Sequence, residues 1–96
     1  MASPTLVSRS ELADYSRRLD DLARHFEAAV AQAVRKPASA ADGLRLVRRI
    51  EQGRTELRLA REMLSRTMAT ADPGARAVLD RRMGKVLELA GRIAGG

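Results

Sequence analysis

The sequence has 96 residues and a net charge of +6, from 18 basic and 12 acidic side chains, which suits one small domain with one core. It has no Cys, no Trp, one Tyr and one Phe, which excludes disulfides and thiol catalysis and argues against a β-sheet core. No apolar run approaches the roughly 18 residues of a membrane span, and the start lacks the pattern of a signal peptide, so we expect a cytoplasmic protein without membrane insertion.

The first predicted helix covers about residues 8–36, after a disordered lead at residues 1–7. Ser8 or Ser10 can cap its first turn, and Pro37 disfavours helical geometry in the residue before it. Its apolar residues alternate in steps of three and four, which is the spacing of a coiled-coil seam. They are Leu12, Tyr15, Leu19, Leu22, Phe26, Ala29 and Ala33.

The second predicted helix covers about residues 40–70, and Ser39 and Asp42 are its candidate caps. It carries the same alternating pattern, so both of its neighbours can pack against one stripe. The stripe consists of Leu46, Ile50, Gly53, Leu57, Ala60, Leu64 and Thr67.

The third predicted helix covers about residues 73–94 and leaves residues 95–96 as a tail. Asp72 is a good cap, and Pro73 suits the first helical position because its fixed φ is helical and it lacks an N–H to satisfy. Its seam is Leu79, Met83, Val86, Ala90 and Ile93, with Leu87 and Ala94 beside it.

The three stripes match one another when the helices run antiparallel. Facing residues then have a constant sum of residue numbers, and the sum 79 pairs Phe26 with Gly53 and Leu19 with Ala60. The sum 143 pairs Ala60 with Met83 between the second and third helices. Large side chains mostly meet small ones, and the short connections favour antiparallel neighbours. We therefore predict an all-α, up-down-up three-helix bundle with coiled-coil-like packing.

The sequence shows no catalytic, metal or cofactor motif. His25 is the single histidine and has no neighbouring ligand cluster. Asp20 and Asp21 are adjacent, so on a helix they point about 100° apart and cannot act as a carboxylate pair. We expect a protein that is not an enzyme and binds no cofactor, metal or small-molecule substrate.

Several small and apolar residues fall outside or at the edges of the seams and predict a partner-binding face on the second and third helices. They are Leu59, Met63, Val78, Gly84, Leu89 and Gly91. The glycines leave a bare strip on which another helix could pack. We therefore expect a helical protein–protein interaction module, such as an adaptor, an escort chaperone or a secretion-apparatus-type subunit. Its partner would be another protein or a second copy, in the latter case forming a dimer.

A basic cluster at one end of the predicted bundle supports an alternative function, non-specific nucleic-acid binding. Six basic residues meet only Asp42 and Glu51 there, an excess of +4. Three of them lie near a helix N-terminus, where the helix dipole disfavours positive charge. No helix-turn-helix or stacking aromatic accompanies them. The predicted anion-binding residues, here called the basic pole, are Arg35, Lys36, Arg45, Arg48, Arg49 and Arg92.

Overall fold

The computed structural model describes residues 9–36, 39–67 and 73–95 and contains three helices in these ranges. The helices are α1 (Arg9–Ala33), α2 (Ala40–Thr67) and α3 (Pro73–Gly95), and the described part has no strand. They pack against each other in one bundle, which confirms the predicted all-α three-helix fold. The predicted lead, the cap at Asp72 and the predicted helical residues 68–70 lie outside the described residues.

The first helix ends three residues before the predicted boundary. Its last turn still donates from Val34 N to Val30 O over 3.0 Å, but Arg35 N and Lys36 N donate to carbonyls only three residues back. Such bonds tighten the chain and satisfy carbonyls at the helix end. The C-terminal end of α3 differs less, since it extends one residue past Ala94.

The helix starts agree with some of the predicted caps. Ser39 caps α2, because its Oγ accepts a hydrogen bond from Asp42 N over 3.2 Å and donates one to Asp42 Oδ2 over 2.9 Å. Asp42 is therefore a residue of the first turn and not the cap itself. Ser10 lies inside the first turn of α1, so it is not the N-cap, and Ser8 is outside the described residues. The third helix begins at Pro73, as predicted.

The core runs along the bundle between all three helices, and every predicted seam residue of α3 is buried. The residues on either side of that seam differ in burial. Leu87 is 56% exposed, whereas Leu89 is only 6% exposed. Leu89 follows Val86 by three residues and precedes Ile93 by four, so it extends the buried stripe, while Leu87 is turned about 100° from Val86. The buried residues are Leu12, Leu19, Phe26, Ala29, Val30, Ile50, Leu57, Ala60, Leu64, Leu79, Met83, Val86, Leu89, Ala90 and Ile93.

The register between α1 and α2 is fixed by one large residue against one small one. The ring of Phe26 lies directly over Gly53, where a Cβ atom would overlap it. This is the pairing that the sum of residue numbers predicts. Gly53 is therefore needed for close approach of the two helices, although a glycine weakens a helix by itself.

The first and third helices also pack directly against each other and close the bundle. Tyr15 Oη donates to Asp80 Oδ1 over 3.0 Å, and Arg76 pairs with Glu11 at 2.7 Å. Both pairs differ by 65 in residue number, as expected for two parallel helices that keep one register.

Candidate functional site

The six residues predicted to bind a partner do not form one face. Leu89 belongs to the core. Gly84 and Gly91 lie on the exposed side of α3, where a Cβ atom would meet no neighbouring side chain of the described residues within 4 Å. The other three, Leu59, Met63 and Val78, are half-buried. The predicted surface is thus split between the edge of α2 with α3, the core and the outer side of α3.

The edge between α2 and α3 is closed by polar contacts. Arg82 Nη1 lies 2.9 Å from Glu56 Oε2, and its Nε donates to the sulfur of Met63 over 3.3 Å. Lys85 approaches the same carboxylate at 3.9 Å. The Glu56 side chain is only 15% exposed, so a partner at this edge would have to displace a half-buried ion-pair network.

A groove between α1 and α3 runs beside Gly84, one of the predicted glycines. It has a volume of about 640 Å³, is widely open to solvent and combines apolar side chains with charged ones. Leu87 contributes one of the few large apolar side chains that are strongly exposed in the described part of the chain. The groove, called the α1/α3 groove below, is lined by Tyr15, Arg18, Asp21, Leu22, His25, Asp80, Met83, Gly84 and Leu87.

Tyr15 holds a fixed position in this groove. Its hydroxyl donates to Asp80, and the guanidinium carbon of Arg18 lies 5.2 Å from its ring centroid, within cation–π range. The pKa of Tyr15 is raised above 10.0, first by burial and next by the hydrogen bond and charge of Asp80. Arg18 and Arg76 act in the opposite direction. The groove therefore has an apolar lining and a rim whose polar groups are already oriented.

The edge between α1 and α2 carries two ion pairs one heptad apart. Arg54 forms a two-pronged pair with Glu27, with contacts of 3.0 and 3.1 Å, and Arg61 lies 3.6 Å from Asp20. The hydrogen bonds from Arg54 lower the pKa of Glu27 below its usual value. In both pairs the residue numbers sum to 81, so this sum describes the outer edge of the interface, just as 79 describes its centre.

The basic pole is partly neutralised. Arg92 pairs with Glu88 at 2.7 Å, and Arg45 lies 4.0 Å from Asp42. Glu88 was not counted in the sequence analysis, and including it leaves six basic against three acidic residues. Within the described ranges, the other four basic residues have no carboxylate within 4.0 Å, and all but Arg49 are strongly exposed. These four are Arg35, Lys36, Arg48 and Arg49.

The same end of the bundle exposes apolar side chains that the sequence analysis missed. Val34 is 60% exposed, Leu44 55% and Val47 49%. The fourth exposed large apolar residue of the described chain, Leu87, lies in the α1/α3 groove instead. Val34 and Val47 share the residue sum of 81, so the register of the α1/α2 edge predicts that they lie opposite each other one heptad beyond the Glu27–Arg54 pair. The sequence did contain a signal for two of these exposed residues, because Leu44 and Val47 fall outside the α2 seam and lie next to arginines.

No family model matches the sequence, and no match was found among curated proteins or solved structures. Within the described residues, no group of three or more His, Cys, Asp or Glu side chains could hold a metal ion. No helix in these ranges is long and apolar enough to cross a membrane.

Proposed function

We propose that the protein is a non-enzymatic helical interaction module that binds one amphipathic helix of a partner protein in the α1/α3 groove. The observation that carries this proposal is Leu87, which is 56% exposed beside Gly84, a position where α3 has no side chain. A foreign helix can approach the backbone of α3 closely there and cover Leu87.

The chemistry of the groove suits such a ligand. The distance between packed helices depends on the side chains at their contact. The bare backbone at Gly84 and Gly91 therefore permits a short interhelical distance. Covering Leu87 and the exposed part of Leu22 removes apolar surface from water, at about 25 cal/mol per Å². The charged groups of the rim, such as Arg18, select orientation by pairing with polar residues of the ligand. Such a groove is compatible with an adaptor, an escort chaperone or a secretion-apparatus subunit.

Site-specific photo-cross-linking in the native host tests the proposal. A photo-reactive residue at Leu87 should yield an adduct of defined mass, whereas the same residue at Leu59 on the α2/α3 edge should not. The double variant Gly84→Leu, Gly91→Leu should abolish the Leu87 adduct without loss of helicity, because a Cβ atom at either position meets no described neighbour within 4 Å and leucine is a better helix former than glycine. Solution mass then shows whether the adduct contains a second copy or another protein. An adduct from Leu59 alone would favour the α2/α3 edge, and adducts from neither position would refute the proposal.

Nucleic-acid binding by the basic pole is the second candidate. The observation that favours it is the set of four basic side chains without a carboxylate neighbour. Neither aromatic residue is placed to stack on bases there, since Phe26 is buried in the core and Tyr15 lies in the α1/α3 groove. Binding would rest on about four phosphate contacts, with a slope of about −3.6 in log K against log salt on duplex DNA. A flat salt response would exclude it.

A further inference from the structure

The end of the bundle that carries the basic pole also exposes aliphatic side chains in a defined pattern. On α2, Leu44 and Val47 are three residues apart and Leu44 and Arg48 four apart, so Leu44 neighbours both of them on the helix surface. Directly after α1, Val34 keeps a helical hydrogen bond to Val30 O over 3.0 Å, and two basic residues follow it. Each helix thus contributes apolar residues next to exposed positive charge.

The register of the bundle joins these two halves into one patch. Asp20–Arg61 and Glu27–Arg54 are successive pairs along the α1/α2 edge. A step of seven residues on each helix leads from Glu27 to Val34 and from Arg54 to Val47. An apolar pair therefore continues the row of ion pairs. The end patch, as we call it, consists of Val34, Leu44, Val47, Arg35, Lys36 and Arg48.

The positive charges of the end patch are available to a ligand. No carboxylate of the described residues lies within 4.0 Å of Arg35, Lys36 or Arg48. Among the acidic residues at this end, Asp42 faces Ser39 and Arg45, and Glu88 is engaged by Arg92. Glu51 is exposed one turn after Val47 and offsets one of the three charges.

The combination of charge and apolar surface selects the class of ligand. A nucleic acid would neutralise the basic residues but would leave the three aliphatic side chains in water. A specific protein–protein interface buries about 1,000 Å² or more. The apolar surface here consists of three aliphatic side chains on about two helical turns, which is too small for such an interface. The interface of an anionic bilayer accepts both groups and needs no matching shape, since short aliphatic side chains enter the headgroup region while basic ones meet phosphates.

From this pattern we infer that the end patch is a peripheral binding site for anionic lipid surfaces. Its three basic residues supply the attraction to lipid phosphates, and Val34, Leu44 and Val47 enter the interface. The site lies away from Leu87 and Gly84, so it functions independently of the α1/α3 groove. Failure of one proposal leaves the other unaffected.

Vesicle sedimentation with the full chain tests the inference. Vesicles of phosphatidylcholine with phosphatidylglycerol should bind the protein, and pure phosphatidylcholine vesicles should not. The triple variant Arg35→Gln, Lys36→Gln, Arg48→Gln should bind on the order of 100-fold more weakly, at about fivefold per basic residue. The matched control Arg17→Gln, Arg58→Gln, Arg81→Gln has the same net charge and should retain most of the binding. An equal loss of vesicle binding in both variants would contradict a binding site confined to the end patch.

The apolar half of the patch separates lipid from nucleic acid. The variant Val34→Ser, Leu44→Ser, Val47→Ser keeps every charge and should weaken vesicle binding about tenfold or more, while Leu87→Ser should not. Vesicle binding that is unchanged in the triple serine variant would overturn the inference. So would duplex DNA binding at low salt accompanied by no binding to anionic vesicles.

A labelling experiment covers the case in which the serine variants fold poorly. The sequence has no Cys, so Val47→Cys can carry a single polarity-sensitive dye at a position that is already half exposed. Anionic vesicles should shift its emission to the blue, and the same dye on Leu87→Cys should show no shift. Equal shifts, or none at Val47→Cys, would contradict the proposed orientation.

Discussion

At the scale of single residues, Tyr15 reports the packing of α1 against α3. Burial and the neighbouring Asp80 carboxylate raise its pKa above 10.0. The neutral phenol therefore stabilises the fold below about pH 10, and this contribution is lost as the pH rises through the folded-state pKa. Tyr15 is the single Tyr and the chain has no Trp, so tyrosinate absorbance measures it directly. We expect its midpoint to exceed that of the chain unfolded in denaturant.

The variant Asp80→Asn separates the two causes of this shift. It removes the carboxylate charge but leaves the burial, so the midpoint of Tyr15 should fall and still remain above the unfolded value. A folded protein whose Tyr15 titrates like free tyrosine would show that the α1/α3 contact does not form in solution.

Three glycines in the described helices predict opposite responses to the same substitution. Gly53→Ala should destabilise the fold by about 1–3 kcal/mol, because its Cβ would overlap the Phe26 ring. Gly84→Ala and Gly91→Ala should each stabilise it by about 0.5–1 kcal/mol, since the added methyl group meets no neighbouring side chain and alanine favours the helix. Urea unfolding measures the change in stability of all three variants. A Gly53→Ala variant as stable as the native chain would show that the Phe26 ring does not lie over Gly53.

The sequence predicted the contact at Gly53 but not the surroundings of the other two glycines. The seam spacing put Gly53 opposite Phe26, and large-against-small matching is a property of apolar residues that a sequence displays. The environment of Gly84 depends on α1, which is distant in the chain, and on the rotation of α3 between its two neighbours. The same rotation decides that Leu89 is buried and Leu87 exposed.

At the scale of helices, the start of α2 depends on one hydroxyl group. Ser39→Ala removes the acceptor for Asp42 N and should cost about 1 kcal/mol. Ser39→Asp should retain most of the stability, since aspartate is an equally good cap. Ser16→Ala is the matched control in the middle of α1, where alanine is the better helix former and no loss is expected. Equal stability of Ser39→Ala and the native chain, measured by urea unfolding, would contradict the cap.

The helix boundaries and the closure of the bundle differ in how far a sequence can predict them. Pro37 predicts that α1 ends before it, but the structure ends the helix at Ala33, and Arg35 and Lys36 form tighter turn bonds instead, which is common where a helix frays. The contact between α1 and α3 includes polar pairs such as Tyr15 and Asp80, whose residue numbers differ by 65. An apolar seam contains no record of polar pairs, so that contact could not be derived from it.

At the scale of the whole molecule, the core belongs to three helices together. The third helix contributes Leu79, Met83, Val86, Leu89, Ala90 and Ile93 to the buried cluster. Its glycines at positions 84 and 91 lower its helix propensity, but they lie outside this packed face. A chain without α3 would leave the apolar faces of α1 and α2 in water, and a domain this small has little stability to lose.

Removal of α3 therefore tests the bundle as a unit. A chain ending at Thr70 should lose helicity and cooperative unfolding or self-associate, and a peptide of residues 73–95 should restore helicity and protect α2 amides from hydrogen exchange. A peptide with Val86→Asp should not rescue it, because that side chain is fully buried. A peptide with Gly84→Ala should rescue at least as well as the native one, since Gly84 lies outside the packed face. If the truncated chain stays monomeric and fully helical and ignores the peptides, α1 and α2 close a core by themselves and α3 is not part of it.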